Sequence, residues 1–247
     1  MDYKFDDFTD RSYAQILKSA RKKWSFISFK DAQKKGRACL WRHDVDFSLN
    51  RSLKFAQIEN MLGVKTTYFI HLHSIFYNPM EDEQSKIIKK ISDLGHWIGL
   101  HFDPHFYLER NKNINWEKYI KFEQNILETI LNKKIEAISI HNPDVNGWKN
   151  FDDFRVCRMI NTYSKNISDK FYYVSDSNGY WRHKNLIKVI KNSKVEKLHV
   201  LTHPGLWQEK AMSPNNRIRR CATLRAKNAM SSYDNFFIGN KDRKNIK

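Results

Sequence analysis

The sequence predicts a single-domain α/β protein built on a mainly parallel sheet, either closed as a barrel or left open. Short apolar runs alternate along the chain with longer segments of helical spacing, and this alternation is typical of parallel sheets. Five of the six runs lie about 30–40 residues apart, which is the length of one strand–helix unit. The chain has 247 residues, a length that fits one domain of this class.

The predicted strands share one property, because each ends in a residue that can bind a metal or move a proton. They span residues 38–44, 65–71, 96–101, 135–141, 171–176 and 198–203, and they end at Asp44, His71, His101, His141, Asp176 and His203. The carboxyl ends of parallel strands meet at one rim, where active sites are built. We therefore expect a hydrolytic metal site at this rim.

The segments between the strands show helical spacing and helix-ending signals. Residues 50–62 carry an apolar stripe and stop at Gly63, and residues 81–94 begin with acids and stop at Gly95. Glycine suits the left-handed position that follows a helix. Further helices are predicted at 116–131, 151–163 and 184–190, with a leading helix at 11–23.

The charge of the chain is strongly basic. Lys and Arg number 44 against 27 acids, which gives a formal net charge of +17. Such a balance indicates either a polyanionic partner or simply solvated helix faces. Residues 208–247 hold ten Lys and Arg against three acids. Since no nucleic-acid recognition motif accompanies the charge, we do not expect a nucleic-acid partner.

Two further features limit the class of protein. Apolar stretches are far shorter than the roughly 20 residues of a membrane span, and the chain opens on the acidic stretch MDYKFDDFTD. The three cysteines, Cys39, Cys157 and Cys221, are odd in number and widely spaced, so no disulfide framework is implied. We expect a reduced, cytoplasmic protein without a transmembrane segment.

The first candidate motif is WRHDVD, residues 41–46. Side chains alternate along a strand, so Asp44 and Asp46 point to the same side. Two carboxylates this close resist ionising together unless a cation lies beside them. A metal held by one carboxylate, with the other acting as base, satisfies this need. The alternative is a solvated strand end in which Asp46 caps the next helix.

The second candidate motif is GHWIGLHFDPH, residues 95–105. His101 and His105 are four residues apart and share a face in a helical turn or in an extended stretch. Because Pro104 disfavours a regular helix, a tight loop is expected there. Two imidazoles and one carboxylate leave a metal with open positions. The alternative for either histidine is an ordinary hydrogen-bonded side chain, and His96, at the start of its strand, is assigned to that class.

These two motifs, together with residues 201–204 (LTHP), resemble the polysaccharide deacetylase superfamily, also named NodB homology or carbohydrate esterase family 4. They are most similar to its branch in surface-polysaccharide biosynthesis. The resemblance spans roughly residues 38–207, with five motifs in the right order. It implies a distorted (β/α)7 barrel at 38–207, an N-terminal helical segment at 1–37 packed on the barrel, and a basic C-terminal extension at 208–247.

The resemblance also implies roles for individual residues. Asp44 becomes the base, His203 the general acid, and Asp176 a support for the catalytic groups. The metal ligands become Asp46, His101 and His105. Because Val45 separates the aspartates, which usually stand next to each other, the roles of Asp44 and Asp46 could be exchanged. His141 stands where the family has an arginine, and it contacts the substrate or helps to bind the metal.

The expected activity is hydrolysis of an amide C–N bond that removes an acyl group from an N-acylated sugar during glycan biosynthesis. The cofactor is a divalent metal, with zinc expected first and cobalt, nickel or manganese as alternatives. The sugar could be linked to a nucleotide or a lipid diphosphate. Rival functions are another metal-dependent C–N or ester hydrolase and a non-catalytic carbohydrate-binding relative. Expected substrate contacts are His141, Trp181, Arg182 and Trp207, with Arg217, Arg219 and Arg220 for a diphosphate.

Overall fold

The computed structural model describes residues 5–108, 114–143, 153–192 and 194–238. The strands within these ranges are β1 (Ser25–Phe26), β2 (Ala38–Val45), β3 (Thr67–His71), β4 (Trp97–Phe102), β5 (Ala137–Ile140), β6 (Arg155–Val156), β7 (Met159–Asn161), β8 (Tyr172–Ser175) and β9 (Lys197–Thr202). The helices are α1 (Asp10–Ala20), α2 (Leu49–Met61), α3 (Asp82–Asp93), α4 (His105–Leu108), α5 (Trp116–Leu131), α6 (Lys165–Ser168), α7 (Leu186–Lys191) and α8 (Pro214–Phe237).

The sheet contains seven parallel strands in the spatial order β7, β5, β4, β3, β2, β9 and β8. Two short strands extend it, since β6 pairs antiparallel with β7 and β1 pairs parallel with β2. No pairing joins β7 to β8 within the described ranges, so the barrel is open there. The α/β prediction and the distorted (β/α)7 barrel are confirmed.

The sheet curls far enough for distant strands to touch across its interior. Arg42 lies in β2, four places from β7 in the strand order. Its guanidinium nevertheless donates to the Thr162 hydroxyl at 2.5 Å and to the Tyr163 hydroxyl at 2.7 Å, just after β7. Such contacts require the strands to enclose a common interior, whose open end forms the rim.

Strand β2 shows how the alternation of side chains places the site. Ala38 and Leu40 pack inside the barrel, whereas Cys39, Trp41 and Val45 pack in the layer between the sheet and the helices. All eight residues of β2 are buried. The inward row continues past Leu40 to Arg42 and Asp44, so the strand carries charged groups from the core toward the rim.

Close packing inside the barrel explains one glycine. A Cβ at Gly99, in β4, would lie 2.4 Å from the Phe69 ring and 2.8 Å from the carbonyl oxygen of Ala137. Only glycine therefore fits here. The Phe69 ring, from the neighbouring strand β3, fills the interior beside Gly99, which precedes His101 by two residues in β4.

The helix predicted at 151–163 is wrong over its described part, and residues 151–152 lie outside the described residues. The chain instead forms a hairpin, β6 and β7, turning through Cys157 and Arg158 at φ 48° and 72°. Met159 and Ile160 are buried, and β7 pairs with β5. Burial of this short apolar pair in the sheet outweighs the local helical spacing.

The C-terminal extension forms α8, and its residues 239–247 lie outside the described residues. Ser213 caps the helix. Arg217 is fully buried at its base and donates to the carbonyl of Gly179 at 2.7 Å. This contact fixes the first turns of α8 against the loop that follows β8. Within the described ranges, no helix combines the length and the apolar character needed to cross a bilayer.

A buried carboxylate ties the outer helices to the sheet. Glu59, in α2, accepts hydrogen bonds from the hydroxyls of Tyr68 at 2.6 Å, Thr66 at 2.8 Å and Tyr13, and from His43 Nε2 at 2.7 Å. Burial raises the pKa of Glu59, but His43 and the other partners outweigh it and lower the pKa below its ordinary value. The network satisfies a charge that would otherwise be costly to bury.

Glu59→Ala is expected to lower the free energy of unfolding by roughly 3 kcal/mol or more, because it leaves several buried donors without an acceptor. The lowered pKa makes this contribution present above pH 4.5 and lost as the pH falls through the folded-state pKa. Urea denaturation at a series of pH values tests both points. Glu59→Gln should lack this loss at acid pH, and the exposed Glu117→Ala should change little. Parallel pH profiles for wild type and Glu59→Gln would contradict this role of Glu59.

Candidate active site

The rim of the barrel opens into a cavity of about 740 Å³. Apolar side chains of Phe47, Phe76 and Leu206 form part of its wall, and the first turns of α8 form another part. The titratable groups that line it are Asp46, His71, His73, Asp103, His141 and His203. The expected meeting of strand ends at one rim is therefore seen, and it brings together titratable groups as distant in the chain as Asp46 and His203.

Two of these groups, Asp46 and His141, form with His101 a cluster that fits a metal ion. His101 Nε2 lies 3.2 Å from Asp46 Oδ1 and 3.1 Å from His141 Nδ1, and the Asp46 Oδ1 to His141 Nδ1 distance is 3.7 Å. Ligand atoms that share one tetrahedral zinc ion lie roughly 3.4 Å apart. Asp46, His101 and His141 are also the residues whose ligand atoms all lie within 4.8 Å of one another in the described part of the chain.

The protonation of His101 supports this fit. Its Nδ1 lies 2.6 Å from Ser139 Oγ, and the Ser139 hydroxyl donates to Asp44 Oδ1 at 3.3 Å. In this chain of hydrogen bonds Nδ1 carries the proton, which leaves the lone pair of Nε2 directed at Asp46 and His141. Asp46 Oδ1 is buried without a hydrogen-bond partner among the described residues. Lone pairs of several side chains that point at one place, with no hydrogen-bond donor there, form a site that suits a cation.

The pKa values of the cluster agree with a metal site. Burial raises the pKa of Asp46, but the neighbouring His101, His203 and His141 outweigh burial and hold it well below its usual range. Burial and the nearby His101 lower the pKa of His141 to about 4. At neutral pH the aspartate is therefore ionised and His141 is neutral, the forms that bind metals.

Asp44 lies behind this cluster. Its carboxylate accepts from Arg42 Nη2 at 3.2 Å and from Ser139, and its side chain is 3% exposed. It does not line the cavity. Through Ser139, Asp44 orients the ring of His101, and Arg42 compensates its charge. Of the two aspartates, Asp46 is the one placed for metal binding.

His203 and Asp176 form an imidazole–carboxylate pair on the other side of Asp46. Asp176 is fully buried and accepts from His203 Nδ1 at 2.6 Å, from the backbone N–H of His203 at 3.0 Å and from Trp207 Nε1 at 2.7 Å. His203 Nε2 lies 3.7 Å from Asp46 Oδ2. Burial alone lowers the pKa of His203, but Asp176, Asp46 and Asp44 outweigh it and raise the pKa to about 9. A protonated imidazole in this position can donate a proton.

His105, expected as the third metal ligand, is not among the residues whose ligand atoms converge with those of Asp46 and His101. It begins α4, where its backbone N–H donates to Asp103 Oδ1 at 3.0 Å. The chain changes from strand β4 to a helical turn between His101 and His105, so the shared face of an i, i+4 pair is lost. His141, at the end of β5, occupies the place in the cluster instead.

The other residues expected to contact the substrate, Trp181, Arg182 and Trp207, do not line the cavity. Trp207 is fully buried with its N–H on Asp176, so it cannot stack on a sugar. Trp181 packs on Phe8 and does not line the cavity, and exposed Arg182 does not line it either. Arg217 is buried, whereas Arg219 and Arg220 are exposed on α8.

Several site residues were missed by sequence reasoning. Arg42 and Ser139 escaped attention because neither type is distinctive, although both precede a motif residue by two positions on an inward strand face. Asp103 lies inside the second motif but was given no role. It contacts His71, a predicted strand end, at 3.5 Å at the cavity wall. Its position just after β4 was the available signal.

No protein-family model matches the sequence, and no curated protein matches it. Solved structures do match. A mutant, with restored enzymatic activity, of a carbohydrate esterase family 4 pseudoenzyme has a TM-score of 0.45 at 15% identity, over 78% of this chain and 64% of that one. The chain thus spans less than two thirds of that protein's length. The wild-type pseudoenzyme comes from Bacillus anthracis.

Two deacetylases match over more of their length. The chitin deacetylase of Colletotrichum lindemuthianum has a TM-score of 0.46 at 14% identity, over 78% of this chain and 84% of that one. A peptidoglycan N-acetylglucosamine deacetylase has a TM-score of 0.46 at 15% identity, over 85% and 91%. The pseudoenzyme is described as a member of carbohydrate esterase family 4, the family that the motifs resemble. At such identity the side chains of the site have to be judged by their own geometry.

Proposed function

We propose that the protein is a metal-dependent deacetylase that hydrolyses the amide bond of an N-acylated sugar in a glycan. The observation that carries the proposal is the geometry of the rim. A cluster of Asp46, His101 and His141 able to hold a divalent cation lies beside His203, which is paired with Asp176. Asp46, His141 and His203 line the same cavity. Amide hydrolysis needs both an activated water and a proton for the leaving nitrogen.

Asp46, His101 and His141 would hold the cation. A divalent cation there supplies Lewis-acid chemistry, since it polarises a carbonyl group and makes water more acidic. His203 donates a proton from Nε2 to the nitrogen of the leaving amine, which could not depart as an anion. Asp176 holds the ring in the required orientation through Nδ1, and its charge favours the protonated imidazole.

Asp44 is the proposed base. It is the carboxylate of the pair that the metal-binding cluster leaves unused, and Arg42 lies against it at 3.2 Å. Because its side chain is almost completely buried, proton transfer to Asp44 requires water to enter beside it. Zinc is the proposed metal, because one aspartate and two imidazoles suit it.

The proposed substrate is an N-acetylated sugar within a larger glycan. The cavity of about 740 Å³ is large enough for several sugar rings, and its wall combines apolar and polar groups. Should the glycan carry a nucleotide or lipid diphosphate, the exposed Arg182, Arg219 and Arg220 are the cations proposed to contact it. Buried Arg217 is excluded from that role by its contact with Gly179.

The test combines metal analysis of the purified protein with an assay for acetate release. We expect a stoichiometric divalent metal and release of acetate from N-acetylglucosamine oligomers, lost on chelation and restored by zinc. Peptide amides and phosphate esters serve as comparison substrates. Turnover of those alone would assign the protein to another class of metal hydrolase. Protein that binds the oligomers without metal or turnover would be a non-catalytic carbohydrate binder.

A further inference from the structure

A second imidazole–carboxylate pair lies at the cavity wall, away from the metal-binding cluster. His73 follows β3 and lines the cavity, with a side chain 19% exposed. Its Nε2 lies 3.0 Å from Oε1 of Glu123, a buried residue of α5. The Tyr107 hydroxyl donates to the same carboxylate oxygen at 2.7 Å. A helix of the outer layer thus supplies a buried charge to a cavity residue.

The ring of His73 is held in one orientation. It stacks on Phe106 with ring centres 3.5 Å apart and planes 11° apart. The next residue, Ser74, donates to the backbone carbonyl of Asp46 at 2.7 Å. These contacts connect the position of His73 to that of a proposed metal ligand, so the distance between the two is fixed by the fold.

The ring nitrogens of His73 have different surroundings. Nε2–H donates to Glu123, whereas Nδ1 has no hydrogen-bond partner in the part of the chain that the structure describes. Neutral His73 offers a lone pair at Nδ1, and protonated His73 offers an N–H there. A hydroxyl group both accepts and donates, so it is the ligand group that suits Nδ1 in either state.

A purely structural role does not account for this arrangement. The comparable pair of His43 and Glu59 is sealed from solvent, with both side chains 0% exposed and both ring nitrogens bonded within the protein. His73 in contrast opens to the cavity. Glu123 has no ion-pair partner other than His73 among the described residues, and its Oε2 is buried without a hydrogen bond. Burying a carboxylate with so few partners is costly unless its interaction with the histidine has a function.

We propose that His73, oriented by Glu123 and Tyr107, is a subsite that binds a hydroxyl group of the sugar substrate. The proposal rests on the proposed function for the identity of the ligand as a sugar. His73 takes no part in the chemical step. It holds the sugar at a fixed distance from the metal-binding cluster, so that binding rather than turnover depends on it.

The test observes the imidazole nitrogens of ¹⁵N-histidine-labelled protein by NMR while N-acetylglucosamine is added. The signals of His73 are those that disappear in His73→Asn. We expect His73 to show the Nε2–H form, and its Nδ1 signal to move and saturate with sugar. Glu123→Gln should weaken the response, and His183→Ala, which removes an exposed histidine outside the cavity, should leave it unchanged. Absence of a saturable change at His73 overturns the proposal, whether or not other histidines respond.

Kinetics provide the second measurement. His73→Ala should raise KM roughly 3- to 15-fold, the loss of one hydrogen bond, with kcat and metal content unchanged. A fall in kcat at constant KM would contradict a binding subsite. The two proposals fail separately. A response at His73 without acetate release supports the subsite and contradicts the deacetylase activity. Acetate release without a response at His73 supports the deacetylase activity and contradicts the subsite.

Discussion

Replacing His141 by alanine is expected to remove the divalent metal from the purified protein, whereas His105→Ala is expected to retain it. His141 Nδ1 lies 3.1 Å from His101 Nε2 and 3.7 Å from Asp46 Oδ1, and His105 is not in that cluster. Loss of a residue that only supports a ligand weakens metal binding about 10–100-fold. Loss of a metal ligand itself should weaken metal binding by more than this factor.

Elemental analysis after dialysis, together with zinc titration, measures the difference between the two variants. Asp46→Asn and His101→Ala should behave like His141→Ala. The zinc affinity of Ser139→Ala should lie between that of these variants and that of the wild type, because the substitution removes only the hydrogen bond to His101 Nδ1. If His105→Ala loses the metal and His141→Ala keeps it, the proposed ligand set is wrong and the i, i+4 spacing of the sequence motif is the better guide.

His203→Ala is expected to lower kcat by about 10²–10⁴-fold, the usual contribution of acid catalysis, with the metal still bound. The imidazole lies next to Asp46 but is not among the residues whose ligand atoms converge. Its raised pKa, about 9, favours the protonated form, which can donate a proton but cannot bind a metal. Single-turnover and steady-state rates of acetate release measure the loss.

Asp176→Asn provides the matched variant for this experiment. It keeps the shape of the side chain but replaces one acceptor oxygen and removes the charge that favours the protonated imidazole, so kcat should fall while substrate binding is kept. Trp207→Phe removes only one of the donors to Asp176 and should have a smaller effect. Full turnover by His203→Ala would exclude His203 as the acid.

The fold was predictable where local pattern and burial agree. The six apolar runs became β2, β3, β4, β5, β8 and β9, with bounds within two residues at each end. Helix α5 begins and ends as expected. The seventh parallel strand, β7, was missed because Met159–Asn161 is too short to show a period. Only its pairing with β5, a contact distant in sequence, makes it a strand.

The site was predictable as a meeting of strand ends but not in its detail. Asp46, His101 and His203 stand at or just past the ends of strands, and parallel pairing brings such ends together. The exchange of His105 for His141 depends on where the backbone turns after Phe102, which spacing does not encode. Likewise, burial of Trp207 and Arg217 depends on how α8 and the N-terminal segment cover the barrel.

One wall of the cavity comes from the first turns of α8, whereas the groups proposed for metal binding and proton transfer stand at or just past the ends of barrel strands. The residues that shape this part of the entrance are therefore separate in sequence from the groups proposed for metal binding and proton transfer. Substitutions on the cavity face of α8 can change which ligands the cavity admits while leaving those groups in place.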